Sequence, residues 1–146
     1  MAEPRLAESR PSSRAASVTN RGFGRVLIAA YLLFAIAASA RAGVQIATRF
    51  EEAPLAYLLS ALAALVYIVA TVGLARGNAF GRRLAFSCCA FELLGVVAIG
   101  GASVLFPAAF PDETVWSGFG EGYGYVPLVL PVLGLYWLRR TRSPQP

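Results

Sequence analysis

The stretch RRLAFSCCAFELLGVVAIGGASVLF, Arg82 to Phe106, decides the class of this protein. It opens on two arginines and then runs for more than twenty residues with a single charge, Glu92. About 20 predominantly apolar residues are needed to cross a bilayer as a helix, so this run is long enough. Gly81, Ala85, Cys88, Glu92, Gly95, Ile99 and Ala102 recur at three- and four-residue spacing and predict one mostly small face, suited to close helix contact.

Working outward, the same pattern repeats. Pro54 to Ala75 predicts a second span, with Pro54 in its first turn and Glu51 and Glu52 at the positive end of its dipole. The connector RGNAFGRR, Arg76 to Arg83, is short and makes the two runs a hairpin. Upstream, about Arg25 to Ala47 predicts a first span. Its basic flank, its apolar run and Ala38-Ser39-Ala40 also resemble a cleavable signal peptide; the long preceding segment and the apolar residues after Arg41 favour a retained helix. Downstream, Tyr123 to Leu138 predicts a shorter fourth helix, opened by Pro127 and kinked by Pro131.

The expected fold is therefore all-α: a four-helix transmembrane bundle with helices near 25–47, 54–75, 82–106 and 123–138. Residues 1–22 read as a disordered cytoplasmic tail, 23–140 as the membrane domain, 107–122 as an outer connector and 141–146 as a second tail. Of the 146 residues, 57% are hydrophobic and only 14% are charged, against about 25% in ordinary globular chains. All thirteen basic residues are Arg. Eleven of them precede the first run, occupy the 76–83 turn or follow the fourth run; the 1–2 connector sets Arg49 against Glu51 and Glu52, and 107–122 holds Asp112, Glu113 and Glu121 and no base. By the positive-inside rule both termini are cytoplasmic and the protein lies in the plasma membrane as a multi-pass protein. This dispersal of arginines among membrane flanks argues against nucleic acid as a partner. The partners expected are the lipid bilayer and, laterally, a homo-oligomer or a larger membrane complex.

Few residue types capable of chemistry are present. The chain has no His, no Lys and one Met, at position 1. The usual haem ligands and the commonest metal ligand and general base are missing, so neither a cofactor nor a metal is expected. No phosphate-binding, nucleophile-elbow or zinc-protease motif occurs, and GFGEGYG (Gly118 to Gly124) carries an acid where a phosphate loop needs a base. No catalytic residues are assigned and the chain is not read as an enzyme. Cys88 and Cys89 are adjacent, point about 100° apart on a helix, and read as small core residues.

Glu92 is the candidate intramembrane polar site, near mid-span at roughly 12 Å from the inner end. An acid there must be protonated, paired or wetted. A hydroxyl stripe on the second helix, Tyr57, Ser60, Ala64, Tyr67 and Thr71, offers Tyr67 as its partner. Either Glu92 pins the helices together, or it binds a proton or cation in a transport cycle. Arg41, with Gln45 one turn further out, is the second buried-looking charge; it either snorkels to headgroups and pairs with Asp112, Glu113 or Glu121, or captures a ligand. In the outer connector, Pro111-Asp112-Glu113 predicts a one- or two-turn interfacial helix ended by Gly118, with Trp116 in the headgroup layer.

The run FPDETVWSGFGEGYGYVPLVLPVLGLYWLRR (Phe110 to Arg140), with GRRLAFSCCAFELLGV (Gly81 to Val96), resembles small integral membrane proteins of actinobacteria. The resemblance covers roughly Leu74 to Arg140. It implies four spans and an uncleaved first helix and carries no functional residues. The function expected is that of a structural or accessory membrane subunit; the alternative is a small proton- or cation-coupled transporter or channel centred on Glu92.

Overall fold

The computed structural model describes residues 12–141, with side chains from 21 onward. Four helices occur in chain order: α1 (Ser12–Arg49), α2 (Pro54–Arg76), α3 (Ala79–Leu105) and α4 (Val126–Arg140). Short 3-10 turns fill Phe50–Glu52, Pro107–Ala109 and Ser117–Tyr123, and no strand occurs among the described residues. Each helix packs on the next; α1 also touches α4, whereas α2 and α4 lie diagonally opposite.

The helices are sorted inside out. Their inner faces are built from small residues: Ala35, Ala38 and Ala42 on α1, Ala56, Ala63 and Ala70 on α2, Ala85 on α3. Their outer faces carry the large aliphatic side chains, as in the row Leu55, Leu58, Leu62, Leu65, Ile68 and Val72 of α2. Small residues let backbones approach, which is how helices associate where burial from water cannot drive them together. The α2–α3 turn is the tightest case. Gly77, at φ 65°, ends α2 in the left-handed conformation, and Asn78 caps α3 by accepting from the Gly81 N–H at 2.7 Å. A Cβ on Gly73 would stand 2.7 Å from the Gly81 carbonyl oxygen.

The start of α1 and the buried face of α3 differ from expectation. α1 begins at Ser12, so residues 12–22, expected as a tail, enter the helix; residues 1–11 and 142–146 lie outside the described residues. α3 buries Gly81, Ala85, Cys89, Glu92, Val96 and Gly100, a face rotated from the expected one so that Cys89 replaces Cys88 and Val96 replaces Gly95. Three of the four helices meet the length and apolarity of a span by themselves. Arg21–Glu52, Pro54–Arg76 and Ala79–Leu105 are long and apolar enough to cross a membrane. α4 has 15 residues, a length of about 22 Å, short of the roughly 30 Å hydrocarbon core.

What stands beside α4 explains its shortness. No helix forms over Pro111–Trp116; instead the connector folds inward. Thr114, Val115 and Trp116 are buried, with Trp116 only 2% exposed rather than lying at the surface. Its ring packs on Gly95, where a Cβ would come within 2.7 Å, and the Phe119 ring packs on Gly100 at a corresponding 2.6 Å. Counting back from Leu105, Gly95 lies about 15 Å down α3. The fourth wall of the bundle is thus made of two stacked pieces. A strap from Thr114 to Tyr125 fills the end near Leu105, and α4 fills the end near Gly81, with Gly134 against the Cys89 sulfur. Pro127 and Pro131 are both fully buried on the inward face of α4.

The strap turns through three consecutive left-handed residues, Gly118, Phe119 and Gly120, at φ 58°, 61° and 85°. Glycine adopts this region freely; Phe119 does so at a cost of about 1–2 kcal/mol. The backbone is held by the Gly118 N–H donating to the Ser103 hydroxyl at 2.9 Å and the Tyr125 N–H donating to the Gly120 carbonyl at 3.0 Å. Charges separate to the two ends. Arg76, Arg82, Arg83, Arg139 and Arg140 sit at one, and Glu51, Glu52, Asp112, Glu113 and Glu121 at the other with Arg49. Arg82 donates to the Leu138 carbonyl at 2.9 Å and to the Thr141 hydroxyl at 2.7 Å, closing the C-terminus of α4.

Candidate functional site: the buried Glu92 carboxyl and the outer arginine row

Glu92 is wholly buried where α1, α2, α3 and the strap meet. Its partner is Tyr31 of α1, whose hydroxyl donates to Oε2 at 2.8 Å. The same hydroxyl lies 3.2 Å from the Cys89 sulfur, one turn back along α3. Tyr67, the partner expected from sequence, is fully buried beside this pair, its ring centroid 6.2 Å from that of Tyr31. Its hydroxyl faces both the Glu92 carboxyl and the Trp116 indole without closing a well-formed bond to either. Glu92 Oε1, Tyr67 OH and Trp116 Nε1 are consequently buried polar atoms without a hydrogen-bond partner.

The signal for Tyr31 was present in the sequence. Leu27, Tyr31, Ala35, Ala38, Ala42 and Gln45 follow one another at three- and four-residue spacing, and all are buried. This is the inner stripe of α1, and Tyr31 is its one hydroxyl. Aromatic rings extend the cluster outward: Phe34 packs edge-on to Tyr67 at 5.9 Å and against Tyr123 of the strap at 6.0 Å. Tyr123 in turn meets Arg41. The guanidinium donates to the Tyr123 hydroxyl and lies 5.5 Å from its ring centroid. Arg41 therefore engages an aromatic of the strap, where snorkelling or pairing with Asp112, Glu113 or Glu121 was expected; it reaches Asp112 only through its field.

Gln45 is buried, 4% exposed, and its Oε1 has no partner. Asp112 receives the Tyr57 hydroxyl at 2.9 Å and its own neighbour's N–H, from Glu113, at 2.8 Å. The Tyr57 bond first, then the Glu113 N–H and the fields of Arg41 and Arg49, hold the Asp112 carboxyl below the usual aspartate range. Glu113 and Glu121 are exposed. The candidate residues thus fall into two groups: Glu92, Tyr67 and Trp116 inside, and Arg41, Gln45 and Asp112 at the acidic end. No cluster of three or more metal-ligating side chains occurs among the described residues.

These observations define a class: an all-helical chain in which three helices are long and apolar enough to cross a membrane, as a multi-pass membrane protein requires. No family model, curated relative or solved structure matches it.

Proposed function

We propose that this protein is a small integral plasma-membrane protein that serves as a structural or accessory subunit. It crosses the bilayer four times, with both termini in the cytoplasm and the acidic connector outside. It is not an enzyme. The observation that carries this reading is the Tyr31–Glu92 bond, which spends the one mid-span carboxyl on joining α1 to α3. The fourth crossing is made by α4 and the strap in series. Irregular backbone at membrane depth is tolerated where protein covers it, and Trp116 and Phe119 cover the strap against α3. The arginine-rich end faces the cytoplasm by the positive-inside rule. The outer helix faces bind lipid and, laterally, copies of the chain or a larger complex.

A second reading, a proton- or cation-coupled transporter or channel, is favoured by one observation. Glu92 Oε1 and the Tyr67 hydroxyl lie beside one another without a well-formed partner, which leaves a carboxyl oxygen open to a proton or cation. The two readings separate in proteoliposomes carrying the wild-type chain or Glu92→Gln. Glutamine retains a hydrogen bond to Tyr31 and cannot ionise. If the carboxyl is a clamp, assembly survives and proton and alkali-cation fluxes match those of empty vesicles for both proteins. A flux in the wild type that disappears in Glu92→Gln while assembly is intact sinks the structural reading.

A further inference from the structure

Arg41, Gln45 and Arg49 recur every four residues along the last two turns of α1 and lie on one face. With Ala40, Val44 and Asp112 they line an open cleft of about 460 Å³ at the acidic end of the bundle. Two guanidinium groups stand on its α1 side and one carboxylate on the connector side. Gln45 supplies the independent sign of a ligand: it is 4% exposed, and its amide oxygen finds no partner in the protein. Buried polar atoms are overwhelmingly hydrogen-bonded, so this acceptor marks a place for a donor from outside the chain, water or a ligand.

We propose that this cleft binds the zwitterionic headgroup of a phosphoethanolamine lipid. Arg41 and Arg49 take the phosphodiester, the group that planar guanidinium donors recognise best. The ammonium, one ethylene unit away, donates to the Asp112 carboxylate and the Gln45 amide oxygen. Val44, which lines the cleft, and its near neighbour in sequence Ile46 are exposed and apolar, so acyl chains can lie along this end of α1. Tyr57 and the Glu113 N–H hold Asp112 ionised, and Arg41 stays anchored on Tyr123, so the charges are set before a lipid arrives. The site is separate from Glu92 and survives failure of either reading of that residue.

The test is lipid retention by native mass spectrometry after exchange into nanodiscs of equimolar phosphatidylethanolamine, phosphatidylcholine and phosphatidylglycerol. All three present the phosphodiester, and only the first has an ammonium that donates hydrogen bonds. Phosphatidylethanolamine is expected to be enriched roughly three- to fivefold, the range of a partly exposed ion pair. Asp112→Asn keeps an acceptor for Tyr57 and removes the charge; it should abolish the enrichment while lowering thermal stability at neutral pH only by the modest contribution of that charge, with the fold retained. Arg49→Gln should lower retention of all three lipids alike by roughly fivefold. Equal retention of the three lipids by the wild type, or enrichment unchanged in Asp112→Asn, overturns the proposal. So does binding of free phosphoethanolamine in detergent with no lipid preference, which would assign the pocket to a soluble zwitterion.

Discussion

Glu92 shows how one residue acquires a role from its neighbours. A carboxyl deep in an apolar bundle was always going to need a partner, because an unsatisfied polar group there is costly. Tyr31 meets that need from α1, and Cys89 adds a weak contact to the same hydroxyl. Tyr31→Phe keeps the ring and deletes the donor. It should destabilise the fold by about 1 kcal/mol, within the roughly 0.6–2 kcal/mol range of interhelical hydrogen bonds in membranes, as read by reversible unfolding in mixed micelles. An unchanged unfolding midpoint would show that the bond contributes nothing. Asp112 gives the second residue-scale prediction. Its carboxyl is depressed in the folded state, so its contribution is complete above the unfolded value near 3.9 and is lost as pH falls through the lower folded value. Wild type should lose stability in that acid window relative to pH 7, and Asp112→Asn should lose less. Parallel acid profiles for the two proteins would rule this out.

Among the elements, α3 was legible as a helix from its apolar run, but its rotation was not. The sequence offers two overlapping small-residue faces, one through Cys88, Gly95 and Ala102 and one through Cys89, Val96 and Gly100. Both meet the small-residue criterion, and only contact with α2, α4 and the strap chooses between them. The strap was the least legible element. Its Pro, acids and glycines satisfy the rules for a short capped helix equally well as for a turn, and an indole suits an interface as well as a core. Two adjacent glycines of α3 test the choice made. A Cβ on Gly100 meets the Phe119 ring at 2.6 Å and its backbone nitrogen at 2.8 Å, whereas one on Gly101 meets nothing within 4 Å. Gly100→Ala should destabilise by about 1–3 kcal/mol by displacing the strap. Gly101→Ala should be neutral or stabilising by up to about 1 kcal/mol through helix propensity. Equal effects at the two positions would mean the strap does not pack on α3.

For the molecule as a whole, the question is orientation. The proposed topology places residue 121 outside and residue 83 in the cytoplasm. Single cysteines at these exposed positions, Glu121→Cys and Arg83→Cys, should label with a membrane-impermeant maleimide from opposite sides of intact cells, the second only after permeabilisation. The wild-type chain, whose Cys89 is buried and Cys88 half-buried, sets the background. Labelling of both from one side would mean that α3 does not separate them and would overturn the proposed topology.

By itself the sequence determined the helical class, the positions of the three long apolar helices, the α2–α3 hairpin and the separation of charge to two ends. These follow from local properties: run length, capping residues and the order of charges along the chain. The inner stripe of α2 was largely readable, since Tyr57, Ser60, Ala64 and Tyr67 are buried as their spacing implies, while Thr71 is only half-buried. Only the tertiary structure decided that Tyr31, and not Tyr67, closes on Glu92, that Trp116 goes inside, and that the fourth wall is a strap stacked on a short helix. The physical reason is that each outcome depends on contacts between residues distant in sequence. Tyr31 and Glu92 are 61 residues apart, and the glycines that admit Trp116 and Phe119 belong to a helix that ends before the strap begins.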